Sequence, residues 1–387
     1  MDIRFNGVPP NIVNYSNGTM VFVDNSTNNY QTEPPPQTRQ EFELPINSET
    51  LRISCSGPSL YTGLLKIQQS DTEISDSAQV KVVVTRYHHD IPKITATKIE
   101  EEELVCIDIS TPEQPFMSCM TCSRTAIVEI TICLPQGTHS DPESPLKIRN
   151  FEAHLGVFNV YIDDIMDSVE FQTFDLSTGK GDVIHVAGIQ VTQGRIQAGS
   201  GNIFGHFSAT SKLSLKATSG NVHAQSVVLE NTKPNRAATL TLEVMNGTAT
   251  AESVSLLSDL SSGGDFSLTV SSNSGNAFCF VVYAPIDAAI DMKTYCNGGH
   301  SRATLPSTYE GTFDVRTTFG HLSFDSGNPN ESDPEGTNQK RQVQFRRSVN
   351  YFPIGGERSG WVFRSRDGKQ RGSAEVWSDT GSASLSL

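Results

Sequence analysis

The sequence predicts an all-β chain wound as a β-solenoid, and three observations carry that expectation. The apolar fraction is 36% with 30 glycines, and Ser and Thr are plentiful, a profile of many turns and half-exposed strands. Apolar residues alternate with polar ones at period two through most of the chain. Similar short stretches recur, "QAGSGNIFG" (197–205), "KATSGNVHA" (216–224) and "SSNSGNAFC" (271–279). Taking Gly181, Gly201, Gly220, Gly247, Gly275, Gly298 and Gly320 as turn glycines, the intervals are 20, 19, 27, 28, 23 and 22 residues. A drifting period in that range marks stacked supersecondary units. A β-sandwich or stacked antiparallel sheets are the alternative, because hairpins also use such turns.

Residues 1–39 carry Asn, Ser and Pro, end in "TEPPPQTRQ", and read as a disordered arm with a stiff polyproline stretch. Order begins at "EFELP". Residues 40–149 form an N-terminal β region, in which "QVKVVVTRYHH" and "TAIVEITICLP" place alternate apolar residues on one side. Residues 150–325 form the repeats. Their expected inward residues are Leu213, Leu215 and Ala217; Leu240, Leu242 and Val244; Phe266, Leu268 and Val270; Ile290 and Met292; Phe313 and Val315. A strand with one apolar face cannot bury it alone, but coil stacked on coil makes a continuous core. In the Ser-Gly-Asn turns, Gly reaches positive φ and Asn tolerates it. Residues 326–341 read as a polar loop and 342–387 as closing strands.

Chemistry-bearing groups are sparse. Of seven cysteines, only Cys119 and Cys122 have metal-type spacing. Cys106, Cys133 and His139 supply no second pair, so free thiols and no metal are expected. The Glu100–Glu103 run reads as a solvated hairpin end rather than a cation site. Asp163, Asp164 and Asp167 offer carboxylates, yet adjacent positions on a strand face opposite ways. No nucleophile elbow, P-loop or H-E-x-x-H occurs. A non-enzyme without cofactor is the expectation.

Formal net charge is −14, which disfavours nucleic acid and anionic membrane as a whole-molecule field. Against it, Lys340 to Arg371 holds nine basic residues and only Glu357 and Asp367 as acids. Arg346, Arg347, Arg364 and Arg366, with Trp361 and Phe363 interleaved, are the candidate ligand-binding residues, for an anionic glycan, a lipid headgroup or a protein partner. The competing reading makes the arginines outward strand positions, with Trp361 and Phe363 capping the last coil. An exposed solenoid end also invites end-to-end self-association. The N-terminus has no basic then apolar signal pattern, and no window of about 18 apolar residues occurs. No export signal or membrane span is therefore expected, and the default location is inside the cell.

"LPSTYEGTFDVRTTFGHLSF" and "GWVFRSRDGKQRGSAEVWSDTGSASLSL" resemble the adhesin-like β-solenoid family of basidiomycete fungi, itself similar to bacterial adhesin-like domains. The resemblance covers roughly residues 40–387 and is strongest from about 303. Where that family ends strands with a Thr-Ser-Asn-Ala-Pro-like turn, this chain has "TSGNV", "NSGNA" and "SDTGSAS". It implies a fold and no reaction. Two functions stay open: an adhesin-like or scaffold protein presenting flat β faces to a protein or glycan, and a carbohydrate-active β-helix enzyme. The enzyme would need a carboxylate cluster with a basic partner in one groove, which the sequence does not show.

Overall fold

The computed structural model describes residues 12–16, 19–23, 35–56, 61–70, 74–86, 94–110, 126–138, 144–259, 263–327, 340–351, 354–364 and 371–387. The chain divides into two units, residues 1–36 and 37–387. In the first, β1 (Ile12–Ser16) and β2 (Thr19–Val23) pair antiparallel. The rest of the expected arm up to residue 34, like Cys119, Cys122, His139 and Arg366, lies outside the described residues.

Every other described element is a strand. The N-terminal group is β3 (Gln37–Pro45), β4 (Thr50–Ser56), β5 (Tyr61–Gln69), β6 (Ser77–Arg86), β7 (Thr95–Glu100), β8 (Leu104–Ser110) and β9 (Ala126–Leu134). The repeats comprise β10 (Leu146–Leu155), β11 (Phe158–Asp164), β12 (Val169–Ser219), β13 (Val222–Asn231), β14 (Ala238–Asn246), β15 (Ala249–Ser258), β16 (Asp265–Ser274), β17 (Ala277–Tyr283), β18 (Ala289–Gly298), β19 (Ser301–Thr304), β20 (Gly311–Phe319) and β21 (Leu322–Asp325). The chain ends with β22 (Gln342–Asn350), β23 (Gly356–Phe363), β24 (Ser373–Thr380) and β25 (Ala383–Ser386).

Each coil contributes one strand to each of two stacks. The first stack runs β7-β8-β4-β10-β12-β14-β16-β18-β24-β20-β23-β22, and the second β3-β6-β9-β5-β11-β12-β13-β15-β17-β19-β25-β21. β12 serves both, pairing with β10 and β14 in the first stack and with β11 and β13 in the second. Coil pairs with coil in parallel, as between β14 and β16 or β15 and β17. Antiparallel pairs occur at the ends, in β7–β8, β3–β6, β6–β9, β20–β23 and β22–β23.

Spatial order departs from chain order twice. The coil of β4 and β5 sits between that of β8 and β9 and that of β10 and β11. The last coil, β24 with β25, is inserted between β18–β19 and β20–β21. The C-terminal strands thus divide, β22 and β23 extending the end of the first stack while β24 enters the interior of the first stack and β25 that of the second.

The alternation places its apolar set inside. All of Leu213, Leu215, Ala217, Leu240, Leu242, Val244, Phe266, Leu268, Val270, Ile290, Met292, Phe313 and Val315 are buried. One core runs the length of the stacks, and burying each large side chain contributes about 1.5–3 kcal/mol. Within it Phe151, Phe171 and Phe174 cluster, with ring centroids 5.1–5.9 Å apart.

The corners explain the Ser-Gly-Asn repeats. Gly247 has φ +136°, and a Cβ there would lie 2.0 Å from the Gly220 carbonyl oxygen of the coil beside it. The same glycine-on-glycine approach recurs from Gly201 through Gly220, Gly247, Gly275, Gly299 and Gly381 to Gly320. Gly381 falls between Gly299 and Gly320 because its coil is inserted there. The corner glycine of β18 is therefore Gly299 rather than the expected Gly298. The Asn that follows ties successive coils: Asn221 N–H donates to Asn202 Oδ1 (2.9 Å), Thr248 N–H to Asn221 Oδ1 (2.8 Å) and His300 N–H to Asn276 Oδ1 (2.8 Å). Each bond satisfies a corner amide that no strand ladder reaches.

The two ends differ. At the N-terminal end, the Gln40 side chain bonds both the N–H and the C=O of Ala96 on β7 (3.2 Å each), joining the edge of one stack to the edge of the other. At the opposite end Phe345 covers the core, its ring 5.7 Å from Phe313 and 5.3 Å from Phe324. Trp361 and Phe363 do not cap it. In β23 it is Val362 that points inward, buried at 1% exposure.

Candidate functional site

Outward residues of neighbouring strands stand opposite one another, so each stack presents straight rows of side chains at the strand spacing of about 4.8 Å. One row of the first stack lies four residues before each corner glycine. It comprises Gln197, Lys216, Glu243, Ser271, Tyr295, Trp377 and Arg316, with register fixed from Lys216 onward. Lys216 and Glu243 are ion-paired at 2.5 Å, and the Tyr295 and Trp377 rings lie 6.3 Å apart.

Between that row and the corner runs an open groove of about 610 Å³. Its wall toward the strands is Gln197, Lys216, Glu243, Ser271 and Tyr295, and its wall toward the corner includes Thr218, Met245, Asn273 and Asn297. The floor is small: Ala198, Ala217 and Ser272 are buried, and Ser272 Oγ donates to the Gly247 carbonyl (2.7 Å). A second hollow of about 350 Å³ shares Gln197 and Lys216 and extends the groove toward Asp175 and Arg195, themselves 3.7 Å apart.

A third hollow, of about 400 Å³, lies on the same outward face near the C-terminal end. It brings together Arg346, Arg347 and Trp361 from β22 and β23 with Asp314, Glu357 and Glu375. Asp314 stands directly opposite Glu375 on one side and Ser359 on the other. Its carboxyl is pushed above the usual range, mainly by burial and further by Glu357 and Glu375, against the opposing pull of Arg316 and Arg347. Its Oδ1 is buried without a hydrogen-bond partner. Glu357 is held by Arg347 at 3.1 Å and by the Tyr351 hydroxyl at 2.9 Å. Glu375 lies 3.9 Å from Lys293.

Phe363 shares the outward face with Trp361 but lies beyond the hollow, opposite Gln342. Arg364 is apart from both: only 9% exposed, it donates through Nη2 to the Ser307 carbonyl (2.7 Å) and through its backbone N–H to Glu310 Oε1 (3.0 Å). It anchors the chain leaving β23 against the loop before β20. The groove was missed in the sequence, although the signal is present, since every member of its main row sits four residues before a corner glycine.

Of the Glu100–Glu103 run, Glu100 closes β7 and Glu101–Glu103 form the turn to β8, with the Glu101 N–H donating to the Leu104 carbonyl (2.9 Å). Among the described residues no group of His, Cys, Asp or Glu is arranged to hold a metal ion, and no helix is long and apolar enough to cross a membrane.

Two parallel stacks around one core, with rows of outward side chains and shallow grooves between them, define an all-β solenoid with extended surfaces. The chain belongs to the Toastrack DUF4097 family, whose profile matches residues 64–344. No curated protein matches it. Among solved structures it is similar to a protein of Clostridium sporogenes provisionally named for cell adhesion, at 11% identity and TM-score 0.18 over 91% of this chain and 99% of that one. It is also similar to a provisionally named adhesin of Bacteroides fragilis, at 13% identity and TM-score 0.33 over 67% and 94%. A third, a provisionally named adhesin of Parabacteroides merdae, has 7% identity and TM-score 0.37 over 70% and 90%.

Proposed function

We propose that this chain is a non-enzymatic, adhesin-like binding protein that receives a glycan along the groove of the first stack. The observation that carries this reading is the wall of Gln197, Lys216, Glu243, Ser271 and Tyr295 facing Thr218, Asn273 and Asn297 across about 610 Å³. Amide and hydroxyl groups both donate and accept, which suits a polyol. Such groups line the groove on every coil except that of Glu243 and Met245, and their spacing of about 4.8 Å from coil to coil suits a polymer lying across the strands. The Tyr295–Trp377 pair supplies apolar ring surface with polar tips at one end. Arg346, Arg347 and Trp361 extend the face toward ligands that also carry acidic groups.

The test is a screen of the purified protein against glycan, cell-wall and phospholipid arrays, followed by titration calorimetry on any hit. Tyr295→Ala is expected to weaken a glycan hit by roughly two- to tenfold, since aromatic contacts of this kind are worth roughly 0.5–1.5 kcal/mol beyond their buried area. Arg346→Glu is expected to matter only for acidic glycans. A glycan hit indifferent to Tyr295, Gln197 and Ser271 would refute the groove as the site. A hit among phospholipids alone would refute the ligand class.

A second reading draws on the third hollow, where Asp314, Glu357 and Glu375 stand with Arg346 and Arg347. A carboxyl whose pKa is raised by burial, close to two other carboxyls, resembles the acid and base pair of a glycoside-cleaving site. Binding is favoured because Glu357 and Glu375 are engaged by Arg347, Tyr351 and Lys293, and Asp314 Oδ1 is shielded from solvent. Release of reducing ends from a bound glycan, abolished by Asp314→Asn, would establish the enzyme instead.

A further inference from the structure

The first stack ends in two sheet edges of opposite charge. At one end is β22, the most exposed strand of the stack; only Val343 is half-buried, and Phe345 and Val349 are 48% and 38% exposed. It carries Arg346 and Arg347, and its outer edge pairs with no described strand. At the other end is β7, followed by the exposed Glu101, Glu102 and Glu103. An open edge of this kind is a template for another strand.

Strand direction and register make the two edges complementary. β23 runs against β20 and β22 against β23, so β22 runs with the coils; β7 runs against β8 and so opposes them. A second copy translated along the stack would set β22 against β7 as an antiparallel pair, the kind of pair both already make inwardly.

Register can be followed along one row. From Arg347 it passes through Ser359, Asp314, Glu375, Lys293, Thr269, Thr241 and Ser214. It resumes across the Arg195–Asp175 ion pair, then Glu152, Arg52 and Cys106, and ends on Ile99. The row that begins at Gln344 ends beside Glu101. Arg346, the extra residue of the bulge between Phe345 and Arg347, therefore faces the segment Ile99–Glu101 of the next copy.

We propose that the chain assembles head to tail, the basic β22 edge of one copy pairing with the acidic β7 edge of the next. Such a contact joins two different surfaces and does not close on itself, so it propagates into filaments. A symmetric contact between two β22 edges would oppose arginine to arginine, which is unfavourable directly across a strand pair. Because Gln40 already occupies Ala96, the pairing is confined to Lys98–Glu100 and the turn that follows. The contact is accordingly small, reversible and sensitive to salt.

Sedimentation velocity and negative-stain microscopy of the full chain over a wide concentration range test this. Mass is expected to grow without a plateau at low salt and to fall as ionic strength approaches about 0.5 M. Arg346→Glu and Glu101→Lys should each raise the concentration needed for assembly by at least about tenfold, a shift of about 1.4 kcal/mol, since like charges then meet. Mixing the two variants should restore growth, because each basic end again finds an acidic one.

Ser348→Pro tests the strand edge without changing charge. The Tyr351 N–H donates to the Gly355 carbonyl on the β23 side, so by antiparallel alternation the Ser348 N–H points to the free edge. Its loss should block assembly while the far-ultraviolet spectrum stays unchanged. A wild type that stays monomeric throughout would overturn the proposal. So would a mass that stops at the dimer, or assembly that survives Arg346→Glu and Ser348→Pro.

Discussion

Gly298 and Gly299 are neighbours in sequence, yet replacing each by alanine should have opposite consequences. Gly299 has φ +133°, and a Cβ there would lie 2.4 Å from the Gly275 carbonyl oxygen and 2.8 Å from its carbon. Holding alanine in that region costs about 1–3 kcal/mol. Relieving the overlap requires a backbone shift of several tenths of an ångström. That shift strains the bond from the Gly299 N–H to the Thr380 carbonyl (2.9 Å), a bond worth about 0.5–1.5 kcal/mol. The sum is a loss of about 1.5–4.5 kcal/mol. At Gly298 a Cβ would meet only Thr380 Oγ1 at 3.8 Å and the Asn273 carbonyl at 4.0 Å. Alanine there should be neutral or stabilise by up to about 1 kcal/mol through the unfolded chain. Urea denaturation followed by circular dichroism measures both, and hydrogen exchange across β18, β19, β24 and β25 locates the loss. Similar midpoints for Gly298→Ala and Gly299→Ala would refute the account of the corner column.

Three further outcomes follow from the same structure. Asn221→Ala removes the acceptor of the Thr248 N–H and should cost about 1–3 kcal/mol as that amide loses its partner, whereas Asn221→Asp, which keeps the acceptor, should cost less; unfolding midpoints distinguish them. The Cys279 thiol is buried and its pKa is pushed up to about 12 by burial alone, so in the native protein it should resist thiol reagents that label the partly exposed Cys55 and Cys133, reacting only on unfolding. Asp314→Asn should raise stability at pH 7 by no more than about 1 kcal/mol. A carboxyl whose folded pKa is raised binds its proton more tightly when folded, so the wild type loses stability as pH climbs from the unfolded pKa through the folded one. The advantage of the variant should therefore vanish in acid, and a pH series of melts that shows a constant difference would contradict the assignment.

The inward face of each repeat was legible because period two leaves one choice of core face, and Leu240, Leu242 and Val244 take it. The corner glycines were legible because other residues resist both positive φ and a carbonyl about 2 Å away. Where two glycines adjoin, as at 298 and 299, spacing cannot choose between them and stacking does. "SGWVF" was ambiguous for a related reason: Trp361, Val362 and Phe363 are consecutive apolar residues, so alternation alone does not say which enters the core. The buried Val362 answers only once β23 is paired with β20. The Arg346, Arg347 and Trp361 group was visible as a charge run, but its acidic counterparts were not. Asp314 and Glu375 are 61 positions apart in the chain and become neighbours only through the β20–β24 pairing.

That pairing also separates this chain from a simple stack. In a linear solenoid each coil needs only the one before it, so the structure can grow with the chain and fray from its ends. Here the coil of β20 and β21 meets that of β18 and β19 only through β24 and β25, the last strands of the sequence. The side-chain bonds that close this join span 60 to 83 residues, as between Ser373 Oγ and Asp291 Oδ1 (2.9 Å). At the other end the coil of β4 and β5 is likewise held between two later ones, with Arg52 Nε donating to Glu152 across 100 positions (2.7 Å). One early coil, β4 with β5, and one late coil, β24 with β25, are thereby sewn into the interior of the stack, and removing either must break long-range contacts rather than peel away a terminal coil. Such contacts incur loop-closure entropy before they gain anything, so the two ends should be the slowest parts to form. The C-terminal coils in particular cannot be completed until the chain has reached Leu387.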